Sequence, residues 1–143
     1  MKEESRFPEG RCPAIRRLMM PRDTNAFGTI FGGVILSEID LAAAIEAQRH
    51  HQGRVVTIAM DQVVFTSPVY TGDLVSLFTE TERVGKTSIR VGVQVWAERS
   101  FSKGANVQVT EATVTMVAVD AEGRKIPVGT GPPLNPPRIR VGE

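Results

Sequence analysis

Cysteine occurs once in the 143 residues, at Cys12. One thiol excludes an internal disulfide, and its rarity suits a reducing compartment. Net charge is almost absent too. Seventeen Lys and Arg stand against sixteen Asp and Glu, a formal charge of +1, so the total gives no footing for nucleic acid. No window holds about 18 uninterrupted apolar residues, so no membrane-spanning helix is expected. The opening M-K-E-E-S-R-F-P-E-G has neither an apolar run nor a cleavage pattern, which makes the cytoplasm the expected location. Histidine is confined to His50 and His51, and no group of His, Cys and carboxylates has metal-ligand spacing, so no metal site is expected. A Gly-x-Ser-x-Gly elbow is missing, which argues against a serine hydrolase.

The stretch that stands out is residues 23–47, D-T-N-A-F-G-T-I-F-G-G-V-I-L-S-E-I-D-L-A-A-A-I-E-A. Gly28, Gly32 and Gly33 allow a sharp loop in which a ligand could approach backbone amides. From Val34 nearly every residue is apolar except Ser37, Glu38, Asp40 and Glu46, and a helix greasy on most of its circumference belongs inside something. A carboxylate, Asp40, thus sits in the middle of a mostly apolar helix that opens on a glycine pair.

The remainder reads in order as follows. Residues 1–13, broken by Pro8, Gly10 and Pro13, are expected to form a mobile arm, and residues 14–20 a short strand ended by Pro21. The helix is expected to stop near His50, His51 and Gln52, before Gly53. Strands are expected over residues 54–64 and 74–84, around Ile89, Val91, Val93 and Val95, and over residues 107–119. The tail from Gly129, with Pro132, Pro133, Pro136 and Pro137, is too proline-rich for a packed element. One long helix followed by four long strands on short loops implies an α+β fold, in which a single antiparallel sheet curves around the helix. The domain spans residues 14–128, flanked by the arm and by the tail of residues 129–143.

Four blocks of this sequence, in order, resemble the acyl-CoA hydrolase branch of the hotdog-fold thioesterases. They are D-T-N-A-F-G-T-I-F-G-G-V-I-L-S-E-I-D-L-A-A-A-I, G-R-V-V-T-I-A-M-D-Q-V-V-F-T-S-P-V-Y-T-G-D, V-G-K-T-S-I-R-V-G-V-Q-V-W and T-E-A-T-V-T-M-V-A-V-D. The resemblance covers residues 18–127. It implies a hotdog fold, homodimers that pair sheets edge to edge, often hexamers built as trimers of dimers, and hydrolysis of acyl-CoA thioesters without a metal or a covalent cofactor. The chain departs from the pattern at Thr29 and Phe31, where relatives can carry Asn or Asp and His, and at Val64, a position that is often polar.

Thioester hydrolysis needs donors for a developing oxyanion and a base or a nucleophile. Free N–H groups near Gly32, Gly33 and Val34, at the positive end of the helix dipole, can supply the donors. Asp40 can supply the base or the nucleophile. Seven residues separate Asp40 from Gly33, about 10 Å along a helix, too far for both to reach one thioester carbon. Two helices antiparallel across a two-fold axis would bring Asp40 of one subunit to the glycine pair of the other. Asn25 is a candidate to hold the water or the carbonyl, or alternatively an Asx turn residue. Glu38 reads better as a solvated or interfacial residue than as a second base.

Gly85, Lys86, Thr87 and Ser88 imitate the end of a P-loop, but Glu80 stands where its first glycine belongs and a strand follows instead of a helix. The resemblance instead places this turn, with Arg90 nearby, against the nucleotide end of CoA; Arg99 and Lys103 are weaker candidates. His50 and His51 read as cations suited to a helix C-terminus. Ala42, Ala43 and Ala44 could leave room for an acyl chain or line a dimer seam. Two other readings compete: a non-catalytic acyl-CoA or fatty-acid binding module, for which a buried Asp40 would have no use, and a dehydratase, which would want a His and Asp pair in the site.

Overall fold

A single helix lies across one face of a five-stranded sheet in the computed structural model, which describes residues 6–100 and 103–134. In chain order the elements are β1 (Ile15–Leu18), a 3-10 turn (Pro21–Asp23), α1 (Gly32–Ala47), β2 (Arg54–Phe65), β3 (Leu74–Val84), β4 (Ser88–Arg99) and β5 (Ala105–Val119). The strands run β1-β3-β4-β5-β2, all antiparallel, an order that strand patterning does not dictate. The α+β expectation therefore holds, with elements shifted at their ends. The helix stops at Ala47, before His50, because the chain then turns to carry the His51 ring inward.

Alternation along β4 decides which way the sheet faces. Ile89, Val91, Val93, Val95 and Ala97 are all buried against the helix side, while Arg90, Gly92 and Gln94 take the other face. The helix answers with Ile35, Ile39, Ala42, Ala43 and Ala47. Burying each large aliphatic chain here contributes about 1.5–3 kcal/mol. Ala42 and Ala43 are fully buried in this chain's own core, where small side chains let the helix lie close to the strands. They are neither acyl-chain room nor a subunit seam.

The sheet covers only one side of the helix. Leu41 and Ile45, on the opposite side, are 55% and 45% exposed. Beside them β2 is an edge strand, bent by bulges between Thr57 and Ala59 and between Asp61 and Val64, and Ile58 and Phe65 stand open on it.

Both flanks make contacts. Phe7, in the expected mobile arm, packs edge-on against Phe78 and Trp96 on the outer face, and Arg11 donates to the Thr79 carbonyl at 2.9 Å. At the other end, the Gly129 N–H donates to His51 Nδ1 at 3.0 Å and the Leu134 N–H to the Gln52 carbonyl. Met1 to Ser5 and the tail beyond Leu134 lie outside the described residues. Among those described, no helix is long and apolar enough to cross a membrane.

Candidate active site

The loop before the helix is built from its own polar groups. Asn25 Oδ1 accepts from the Phe27 and Thr29 N–H groups, at 2.8 and 3.3 Å, while its Nδ2 donates to the Thr29 hydroxyl at 2.9 Å. This is the Asx arrangement: the side chain substitutes for backbone partners the tight loop cannot supply. Both ends of the Asn25 amide are thereby engaged within the loop. The loop base is closed by a bridge between Thr24 and Ile30 and by the Phe31 N–H donating to the Asp23 carbonyl at 3.0 Å.

Asp23 anchors that base. Its carboxylate accepts from the Met20 N–H at 3.0 Å and from Arg17 at 2.7 Å. The Met20 hydrogen bond, with the Arg17 charge beside it, holds the Asp23 carboxyl below the ordinary carboxylate range. Arg17 also donates to Glu38 Oε1 at 2.8 Å, so one guanidinium ties the loop to the helix. Glu38 is thus an ion-pair partner of Arg17, with little of its side chain exposed.

Helix α1 begins without a side-chain cap. Phe31 occupies the N-cap position and offers only its carbonyl, which the Val34 N–H takes at 3.0 Å. The first amides of a helix have no partner within it, and here Gly32 and Gly33 carry them at the positive end of the dipole. Glycine leaves these amides open to approach, and a side chain at Gly33 would have to displace the exposed Phe31 ring. A Cβ on Gly33 would run into the Phe31 ring, and one on Gly32 would touch the Phe65 ring at 3.7 Å.

Asp40 lies two turns further on, half-buried, with its Oδ1 accepting a 2.5 Å hydrogen bond from the Thr57 hydroxyl of β2. Within one chain, helical rise keeps it about 10 Å from the Gly33 amide. The structure therefore brings Gly32 and Gly33 together but leaves Asp40 apart from them. It faces the same open side as Leu41, Ile58 and the β2 edge. The sequence does not mark Thr57, because a threonine in a β-branched strand gives no sign of which helical residue it will meet.

The turn at Gly85, Lys86, Thr87 and Ser88 is a hairpin closed by the Gly85 N–H donating to the Ser88 carbonyl at 2.8 Å. Its back is stitched to the chain's end: Lys86 and Thr87 carbonyls accept from the Val128 and Ala118 N–H groups. The Lys86 side chain is left exposed. Arg90 is engaged elsewhere, donating to Glu82 at 3.0 Å with Asp61 at 3.9 Å. Arg99 is buried, paired with Asp73, donating to the Pro68 carbonyl at 2.7 Å and lying over the Tyr70 ring. It braces the turn after β2. His51 is buried and accepts through Nδ1, so that nitrogen carries no proton and the residue acts as a tail anchor, not as a cation on the helix end. Among the described residues, no three His, Cys or carboxylate groups are placed to hold a metal ion.

Comparison with known proteins adds three findings. The family described as the thioesterase superfamily matches residues 27–100. An uncharacterized acyl-CoA thioester hydrolase of Haemophilus influenzae is 44% identical over 112 residues, 77% of this chain and 73% of that protein. Two solved structures share the fold. Cj0915 of Campylobacter jejuni, a hexameric hotdog fold thioesterase, is 49% identical with a TM-score of 0.77, covering 81% of this chain and 89% of that one. HI0827, a hexameric broad specificity acyl-coenzyme A thioesterase, is 40% identical with a TM-score of 0.80, covering 87% and 85%.

Proposed function

Since this chain belongs to the thioesterase superfamily, we propose that it hydrolyses acyl-CoA to the free acid and CoA at a site shared between two subunits. The observation that carries the reading is the separation of two complementary halves on one chain. Uncapped glycine amides lie at the helix start, and a carboxylate held by Thr57 lies about 10 Å away on the side the sheet leaves open. A second copy, applied across a two-fold axis along β2, covers Leu41, Ile45, Ile58 and Phe65 and satisfies the unpaired strand edge. It also brings each Asp40 to the other subunit's Gly32 and Gly33.

In that site the thioester oxygen accepts from the Gly32 and Gly33 amides, which are already oriented and cost no reorganisation as charge builds. Asp40 takes a proton from water as the oxygen adds to the carbonyl carbon. Collapse of the oxyanion breaks the C–S bond, and the CoA thiolate leaves and takes up a proton. Asn25 acts through the loop that it shapes. The chain's own groups supply the base and the donors, so the reaction calls for no metal or covalent cofactor. Lys86, with Thr87 and Ser88, contacts the phosphates at the nucleotide end of CoA. Arg90 is left out of that contact because Glu82 already holds it. Three dimers assemble into a hexamer, and the enzyme works in the cytoplasm, where an exposed Cys12 stays reduced.

The test is a thiol-release assay over short, medium, long and aromatic acyl-CoAs, comparing the native protein with Asp40→Asn, both shown to be oligomeric. Turnover in the native protein and a loss of a hundredfold or more in the variant, roughly 2.7 kcal/mol of transition-state stabilisation, support the reading. Acyl-CoA binding without turnover in either protein would overturn it in favour of a binding module.

A further inference from the structure

The segment after β5 ties the Lys86 hairpin to the end of the helix. It first doubles back: a bridge joins Val119 to Lys125, and the Ile126 N–H donates to the Ala118 carbonyl at 3.0 Å. Two adjacent amides then go to two different elements. The Val128 N–H donates to the Lys86 carbonyl at 2.8 Å, and the Gly129 N–H to Nδ1 of His51 at 3.0 Å. Gly129 and Gly131, at φ of 83° and 80°, let the chain bend past the ring and run on to Gln52, whose carbonyl accepts from the Leu134 N–H.

This strap is mostly exposed. Of residues 126–134 only Ile126 and Val128 are partly buried, whereas His51 beneath them is 1% exposed. The other ring nitrogen, Nε2, is buried with no hydrogen-bond partner among the described residues, which costs free energy that an aliphatic side chain would not. What the imidazole adds over an aliphatic group is the acceptor at Nδ1. The ring is also hemmed in between the start of β2 and the strap. A Cβ on Gly53 would lie 2.8 Å from Nε2 and 3.3 Å from the Pro132 carbonyl oxygen, so a side chain there would push the ring or the strap aside.

Resting on the hydrolase reading above and its contact between Lys86 and phosphate, we propose that His51 is a positioning residue for the nucleotide end of CoA, acting through Gly129 and Val128 on the backbone of the Lys86 turn. The turn's own closing bond, from the Gly85 N–H to the Ser88 carbonyl, shapes the hairpin without fixing where it stands. Beyond the strands themselves, its place is set by the Ala118 bond to Thr87 and the Val128 bond to Lys86, and only the second depends on the strap. Held in place, Lys86 meets a phosphate already ordered. Released, the turn must be ordered each time CoA binds, and that entropy is lost from affinity, not from the chemical step. The effect therefore falls on KM, and only for substrates that carry the nucleotide.

The experiment compares the acyl-CoA with the highest native kcat/KM and the S-acyl pantetheine carrying the same acyl group, which keeps the thioester and lacks the phosphates and the nucleotide. His51→Ala should raise KM for the acyl-CoA about fivefold or more, keep kcat within about twofold of native, and leave kcat/KM for the acyl pantetheine unchanged. His51→Asn, whose Oδ1 offers an acceptor near the place of Nδ1, should restore the native KM. Gly53→Ala, which crowds the ring from the β2 side, should raise KM as His51→Ala does, and carries the test if His51→Ala fails to fold. Lys86→Ala should raise KM in the same way, and adding His51→Ala to it should raise KM no further. A native KM in both His51→Ala and Gly53→Ala would overturn the proposal. So would equal losses on the two substrates, a His51→Asn protein no better than His51→Ala, additive losses in the double variant, or a native KM in Lys86→Ala, each of which leaves the hydrolase reading intact. No turnover of either substrate by the native protein would instead overturn the hydrolase reading, and the proposal with it.

Discussion

The Thr57 hydroxyl, on the edge strand β2, donates to Oδ1 of Asp40 in the middle of the helix at 2.5 Å. That bond fixes the carboxylate's rotation and leaves Oδ2 as the oxygen available to a water molecule. A hydrogen bond to a charged group is worth about 1.5–3 kcal/mol, so Thr57→Val should lower kcat roughly ten- to a hundredfold with little change in KM. Thr57 is exposed on the single chain, so the fold should tolerate the change, and size-exclusion chromatography should show the variant assembled like the native protein. Thr57→Ser, which keeps the hydroxyl, should retain most activity. Native turnover in Thr57→Val would show that Asp40 needs no such support.

Gly33 separates stability from activity. Alanine is favoured over glycine inside a helix by about 1 kcal/mol, and the Phe31 ring that its Cβ would strike is exposed and free to swing. Gly33→Ala should therefore keep or raise the urea midpoint while cutting kcat/KM at least tenfold, because the methyl group and the displaced ring crowd an oxyanion donor. Unchanged kinetics in a stable Gly33→Ala protein would remove that amide from the reaction.

Acid should loosen the loop base through Asp23. Its folded pKa lies below the ordinary value because the Met20 N–H and Arg17 favour the charged form, so at acid pH the unfolded chain binds the proton first. The stability this contributes is complete above about pH 4, near the unfolded carboxylate's pKa, and is lost as pH falls from there through the lower folded value. Urea midpoints measured at about pH 6 and about pH 3 should fall further for the native protein than for Asp23→Asn. Parallel losses in the two proteins would assign the acid sensitivity to other groups.

Much of the fold is legible in the sequence. The period-2 run from Ile89 to Val95 and the apolar residues after Gly33 establish a strand and a helix by patterning alone, and the glycine pair and Asp40 of the proposed site stand out in the same stretch. What stayed hidden depends on partners distant in sequence. Thr57 meets Asp40 only because β2 passes over the helix at that register, and Arg17 reaches both Asp23 and Glu38 only once β1 pairs with β3. Ala42 and Ala43 face the sheet, which no composition argument decides. The proline-rich tail hides a contact too, since His51 accepts from Gly129 across a long separation.

The shared site is tested most directly by mixing two inactive proteins. Asp40→Ala and Gly33→Val chains, each inactive alone, are co-expressed with different tags, and assemblies carrying both tags are isolated and assayed. If Asp40 of one subunit serves Gly33 of the other, each mixed dimer contains one site with both defects and one site with neither. Random pairing then restores about a quarter of native activity in the unfractionated mixture, and more in the doubly tagged fraction. If both groups act within one chain, every site in every mixed assembly keeps a defect. Doubly tagged assemblies as inactive as either parent would contradict the account.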